Sequence, residues 1–183
     1  MTGGCLRKKD KSRKGCIDKD AVKIVNEINS KKDYYTTSSC SGRIVLLEMK
    51  SRKKNECDWI FAKHGKVEFD EIINALKNKS KIKKQIYFKQ QPLILHIACR
   101  NIDAAKNLLD AARKVFKHSG IISFNNKRVV VEIIGNERIE TIIADKNFVA
   151  DENYIKKLVN YANENFLQNK IKSGRLLRII KNL

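Results

Sequence analysis

The chain has 183 residues, 42% of them hydrophobic and 32% charged. The length bounds it to a single domain, expected over 1–183, and the apolar fraction excludes wholesale disorder. Lys and Arg number 39 against 20 Asp and Glu, so the net charge is +19, far above the roughly 2–8 that keeps a small domain soluble.

Such a surplus repels itself in the compact state, and a polyanionic partner relieves it. The charge therefore points to nucleic acid, gripped through its phosphates. A lysine-rich composition with a single proline is the competing explanation. No apolar run reaches the ~18 residues of a membrane span. The longest, 93–99 and 129–134, are interrupted by His96 and Glu132. The basic start, with Arg7, Lys8 and Lys9, does not read as a secretory signal. The five cysteines form no C-x-x-C pair, which argues against a disulfide framework and a zinc site. A reducing cytoplasm is expected, with no metal.

Residues 1–16 read as a basic arm. Asp18 is a predicted N-cap, followed by Ala21, Val22, Val25 and Ile28 at helical spacing. Residues 34–43 read as a ligand-binding loop, with a polar turn leading into the next strand as the alternative. Strands are predicted at 43–49 and 59–64, joined by a charged turn over 50–58 and ended by Gly65. A helix carries Phe69, Ile72, Ile73 and Leu76. The basic segment 77–84 is exposed. A strand at 93–99 precedes a helix capped by Asp103 and bearing Leu108, Leu109, Ala112 and Phe116. Three strands follow at 120–124, 128–134 and 138–143, with turns at Asn125-Asn126 and Gly135-Asn136. Asp151 caps a final helix over 151–183. Strands both alternate with helices and run consecutively. The expected fold is α+β: one mixed, largely antiparallel sheet covered by about four helices, not a Rossmann fold.

The eight glycines allow no G-x-G-x-x-G and no P-loop, which argues against an ordinary nicotinamide enzyme or P-loop ATPase. The stretch 36–41 is six small hydroxyl- or thiol-bearing residues in a row, followed by Gly42 and Arg43. Small residues let a ligand approach the backbone, and Arg pairs bidentately with carboxylate or phosphate. Ser38, Ser39, Cys40, Gly42 and Arg43 are thus candidate anion-binding residues, with Cys40 read as an inert small residue. His64 and His96 lie in or beside predicted strands, where a lone histidine is usually a hydrogen-bonded core or boundary residue, but together with the stretch 38–43 they suit a pocket. His118 reads as a surface residue.

Several segments together resemble the wybutosine-synthesising protein 3 family. They are Asp10-Lys-Ser12-Arg-Lys14-Gly15-Cys-Ile-Asp18, Thr36-Thr-Ser-Ser-Cys-Ser-Gly42-Arg43, Trp59 with His64, Pro92-Leu-Ile-Leu-His96-Ile-Ala-Cys99, Ser119-Gly120-Ile121, Ala162-Asn163, Asn169 and Arg175. Two positions depart from the family pattern: Gln91 stands where a glutamate is usual, and Glu140-Thr-Ile142 replaces a Glu-x-Pro pattern.

The resemblance implies an S-adenosylmethionine-dependent tRNA methyltransferase. Its target would be N4 of the tricyclic 7-aminocarboxypropyl-demethylwyosine base at nucleotide 37 of phenylalanine tRNA. On that reading residues 38–43 hold the cofactor's aminocarboxypropyl end, with Arg43 on the carboxylate, and His96 or His64 accepts or relays a proton. Lys8, Lys9, Lys11, Arg13 and Lys14 grip RNA phosphates, aided by Lys81, Lys83 and Lys84. Trp59, Tyr34 and Tyr35 are candidates to stack on the base. The alternatives are a non-enzymatic RNA-binding module and a hydrolase built on Ser39 or Cys40 with His96. The hydrolase lacks the G-x-S-x-G nucleophile elbow.

Overall fold

A computed structural model describes residues 18–49 and 57–183. The arm 1–16, with Lys8, Lys9, Lys11, Arg13 and Lys14, and most of the turn 50–58 lie outside the described residues. Among the described residues four helices and eight strands follow in the order α1 (Lys19–Ser30), β1 (Tyr34–Cys40), β2 (Arg43–Met49), β3 (Cys57–Lys63), α2 (Phe69–Lys77), β4 (Ile86–Gln91), β5 (Ile94–Cys99), α3 (Ile102–Arg113), β6 (Gly120–Asn125), β7 (Arg128–Ile134), β8 (Ile139–Ala144) and α4 (Glu152–Lys181). The α+β class holds. The single mixed sheet does not: there are two four-stranded sheets, and every strand pairing is antiparallel.

The chain forms two compact units. The first comprises Met1–Ser41, Pro92–Asn136 and Gln168–Leu183. Its sheet runs β1-β5-β7-β6. The alternation along β5 and β7 turns Leu95, Ile97, Val129, Val131 and Ile133 into a core with Ile24 and Ile28 of α1, Leu108 of α3, and Leu176 and Ile180 of α4. Asp18 caps α1 by accepting from the Asp20 amide at 3.2 Å. Asn101, rather than Asp103, caps α3, taking the Ala104 amide at 2.9 Å. Asp103 instead sits in the first turn of α3, where a carboxylate faces the positive end of the helix dipole.

The second unit comprises Gly42–Gln91 and Glu137–Leu167, with sheet order β3-β2-β4-β8. Ile44, Leu46, Ile86 and Phe88 pack with Ile72, Ile73 and Leu76 of α2 and Ile155, Leu158 and Val159 of α4. A capping box closes the start of α2, in which the Glu68 amide donates to Glu71 Oε2 at 2.8 Å. Asp151 caps α4 through the amides of Asn153 and Tyr154. Asn163 clamps Val67 from both sides: Oδ1 accepts from the Val67 amide and Nδ2 donates to its carbonyl, each at 2.9 Å. Among the described residues no helix is long and apolar enough to cross a membrane.

Candidate functional site

In the first unit, the predicted loop is a strand. Thr, Tyr and Ser tolerate extended backbone, and Ser38, Ser39 and Cys40 stand opposite His96, Leu95 and Ile94 of β5. Their backbone is therefore part of an antiparallel ladder rather than an open anion nest. The register slips between Thr36 and Ser38, and Thr37 Oγ1 donates to the His96 carbonyl at 3.1 Å. The bulge thus lies next to His96.

His96 stands opposite Ser38 on one side and Glu132 of β7 on the other. Its Nε2 lies 2.9 Å from Glu132 Oε2. An ionised carboxylate only accepts, so Nε2 carries the proton and the neutral ring keeps its lone pair on Nδ1. Both side chains are about one-third exposed, at 32% and 29%, so the pair is reachable from solvent.

Ser41, at the end of β1, is fixed from two directions. Its amide donates to Asp18 Oδ2, and its carbonyl accepts from Asn169 Nδ2 at 2.7 Å. Asn169 Oδ1 accepts from the Leu93 amide at 3.0 Å, so one buried amide ties the end of β1 to the approach to β5. The Ser41 hydroxyl is buried and finds no partner. A buried hydroxyl left this way costs about 1–3 kcal/mol, and a polar ligand would satisfy it. Gly135 is required beside this clamp: a Cβ there would lie 2.7 Å from Pro92 Cβ and 3.0 Å from Asn169 Oδ1.

In the second unit, Gly42 adopts φ 107°, a backbone region that favours glycine. The Gly42 carbonyl lies 2.9 Å from His64 Nδ1. A carbonyl only accepts, so this nitrogen carries the proton. Arg43 opens β2 opposite Gln91 of β4, and its Nε donates to Gln91 Oε1 at 2.6 Å. The guanidinium also lies 4.7 Å from the Trp59 ring centroid. Ring and amide hold it in place, yet neither neutralises it, and Arg43 makes no ion pair among the described residues. Nε is occupied, which leaves the two terminal nitrogens to face a carboxylate as a fork.

The other candidates fall differently. Tyr34 is tied into the first unit, its hydroxyl donating to the Ala104 carbonyl at 3.1 Å. Burial first, then Cys99 and Asp33, push that hydroxyl above the ordinary tyrosine range. The Tyr35 hydroxyl accepts from Arg128 at 2.8 Å. Trp59 serves as the platform for Arg43. Cys99 lies in the first core, and burial pushes its thiol up to about 12. It is no nucleophile at neutral pH. Lys81, Lys83 and Lys84 are exposed. From the sequence, Glu132 carries no assigned role, Gln91 stands out only as a departure from the family pattern, and Ser41 enters only as part of the stretch 38–43. Glu132 had a signal, as a charged residue interrupting the apolar run 129–134.

Fold and sites define a basic α+β protein with no dinucleotide-type sheet, carrying an oriented histidine and an uncompensated arginine. A profile of the family described as Methyltransferase TYW3 matches residues 4–182. The tRNA(Phe) 7-((3-amino-3-carboxypropyl)-4-demethylwyosine(37)-N(4))-methyltransferase of Methanocaldococcus jannaschii is 40% identical over 155 residues, 82% of this chain and 79% of the relative. The tRNA wybutosine-synthesizing protein 3 homolog of Mus musculus is 32% identical over 182 residues, 96% of this chain and 70% of the relative. The structure of the PH1069 protein from Pyrococcus horikoshii superposes with a TM-score of 0.84 at 34% identity, covering 92% of this chain and 87% of that one. The chain belongs to the Methyltransferase TYW3 family. It is therefore an enzyme of the methyltransferase class, which excludes the hydrolase reading.

Proposed function

We propose that this chain transfers a methyl group from S-adenosylmethionine to N4 of the 7-(3-amino-3-carboxypropyl)-4-demethylwyosine base at nucleotide 37 of phenylalanine tRNA. The observation that carries the reading is the family match over residues 4–182, with relatives whose names state N(4)-methylation of this base in tRNA(Phe). The net charge of +19 suits a polyanionic substrate.

Arg43, held by Gln91 and Trp59, offers an unneutralised fork that suits the carboxylate of the methyl donor's aminocarboxypropyl end. When bound, S-adenosylmethionine supplies a methyl group already activated on a sulfonium. The chain's own work is then to orient, to exclude competing geometries and to handle one proton. Orientation of reacting groups supplies up to roughly 7–11 kcal/mol. His96, held by Glu132, presents Nδ1 as the proton acceptor, with His64 as the second candidate. Lys81, Lys83 and Lys84, with the lysines and arginine of the arm, contact RNA phosphates, which position the substrate without reading bases.

Calorimetric titration with S-adenosylmethionine tests the cofactor assignment. The expected result is saturable binding that Arg43→Ala weakens about tenfold or more, as for a lost charge-assisted pair of roughly 1.5–3 kcal/mol. Unchanged affinity in Arg43→Ala would remove Arg43 from the donor site.

A further inference from the structure

The second unit carries a groove at one end of its sheet that the proposed chemistry does not use. Ile86 at the start of β4 stands opposite Ala144 at the end of β8. The segment leading into β4 and the turn leaving β8 therefore emerge at the same end. Between them lies a groove of about 800 Å³, within the roughly 300–1,000 Å³ of ligand clefts. Lys81, Lys83 and Lys84 line one side, and Asp145, Lys146 and Phe148 the other.

Both sides are fixed by their backbones, so the side chains are presented rather than left to drift. On the first side, the amides of Lys83 and Lys84 donate to Glu48 Oε1 at 2.6 and 3.0 Å. Glu48 is 2% exposed, so its carboxylate is a buried anchor under the segment. On the second side, the Asp145 amide donates to the Phe148 carbonyl and the Asn147 amide donates to Asp145 Oδ1, each at 2.8 Å. The carboxylate in the groove is thus used to build the turn. Four exposed ammonium groups face this single acid, and none of the four is in an ion pair among the described residues. Phe148 is 51% exposed beside them.

Either feature alone would be ordinary surface. Together they match the two halves of a single-stranded nucleic acid: phosphates for the lysines and a base face for the ring. We propose that this groove is a nucleotide subsite for single-stranded RNA, with a base stacked on Phe148 and flanking phosphates held by Lys81, Lys83, Lys84 and Lys146. The inference rests on the reading of RNA as the substrate and deepens it, adding an aromatic contact and Lys146 to the phosphate contacts. RNA is favoured over an anionic membrane because the ring sits in a groove on a tight turn. Membrane-surface segments instead display apolar side chains along an amphipathic helix.

The test uses the full chain with a fluorescein-labelled oligouridylate of about twelve nucleotides and with the tRNA(Phe) substrate. Anisotropy gives Kd across a salt series. Phe148→Ala should weaken oligouridylate binding about tenfold, as base-aromatic stacking does, and leave the salt slope unchanged. Phe148→Trp should restore binding. Lys83→Ala with Lys146→Ala should lower the slope by about 0.7 per lysine. Binding within twofold of wild type in all these variants would overturn the subsite. So would loss of binding to phosphatidylserine vesicles in Phe148→Ala with RNA affinity intact, which would assign the groove to a membrane. Methyl transfer separates the two readings. If wild type methylates the tRNA and the variants keep its Kd and KM, the subsite falls and the enzyme reading stands. If wild type transfers no methyl group but Phe148→Ala still loses oligouridylate, the subsite stands and the enzyme reading falls.

Discussion

Asn169 shows how one side chain can be legible by type and opaque by role. An asparagine at 1% exposure must satisfy both ends of its amide, and it does so on the Leu93 amide and the Ser41 carbonyl. Asn169→Ala orphans both backbone groups at about 1–3 kcal/mol each. The expected loss is about 2–4 kcal/mol in urea denaturation, and a loss below roughly 0.5 kcal/mol would mean that water takes over both groups. His96 makes the complementary case. Strand alternation puts it on the opposite face from Leu95 and Ile97, and both neighbours are fully buried while His96 is not. Its partner is Glu132, 36 residues away in sequence, and no local pattern announces such a pair. His96→Ala should lower kcat by about 10²–10⁴, the contribution of a positioned base, with donor affinity unchanged. Glu132→Ala should lower kcat less, because the ring remains but loses its fixed tautomer. Wild-type turnover in both would transfer the proton-accepting role away from this pair.

All four helices were readable from apolar spacing, with Asp18 and Asp151 as correctly read caps, whereas the caps Glu68 and Asn101 were not read from the sequence. The six expected strands exist, but β1 and β4 escaped. β1 is built from small polar residues, and of its side chains only Thr36 is fully buried, so it lacks the apolar alternation that marks a strand. β4 does alternate, with Ile86, Phe88 and Gln90 inward. Gln90 disguises the pattern, being buried only because it bonds the Glu137 carbonyl and Asn165. The division into two sheets was not legible at all. It depends on β1 pairing with β5 and β4 with β8, choices fixed by tertiary packing. The segment after α2 holds a further case. Burial alone would raise the Glu48 carboxyl, but Lys79 at 2.7 Å and the Lys84 and Lys83 amides outweigh it and hold it below the ordinary value. A lowered folded pKa stabilises the fold above the unfolded value near ~4.3 and loses that contribution as pH falls through the lowered value. Wild type should therefore lose thermal stability more steeply below about pH 4.5 than Glu48→Gln does. At pH 7 Glu48→Gln should be the less stable by about 1–3 kcal/mol. Parallel acid limbs for the two proteins would contradict the anchoring of this basic segment by Glu48.

Each unit carries its own apolar core, and the candidate residues divide between them: His96 with Glu132 in the first, Arg43 with Gln91 and Trp59 in the second. The charge of +19 has no counterpart in that folding logic. It belongs to function, as unpaired lysines around a groove illustrate. Net charge acts at long range and needs no register, so composition speaks to a polyanionic partner more directly than to the fold. Neutral Gln91 has a consequence of the same kind. It orients Arg43 without cancelling it, so the guanidinium charge remains available to an anionic ligand. The most direct measurement is transfer of a labelled methyl group from S-adenosylmethionine to tRNA(Phe) carrying 7-(3-amino-3-carboxypropyl)-4-demethylwyosine. The predicted result is label in nucleotide 37 with wild type and little or none with Arg43→Ala at subsaturating donor. Absence of label with wild-type protein, on tRNA that an established relative methylates, would contradict the assignment.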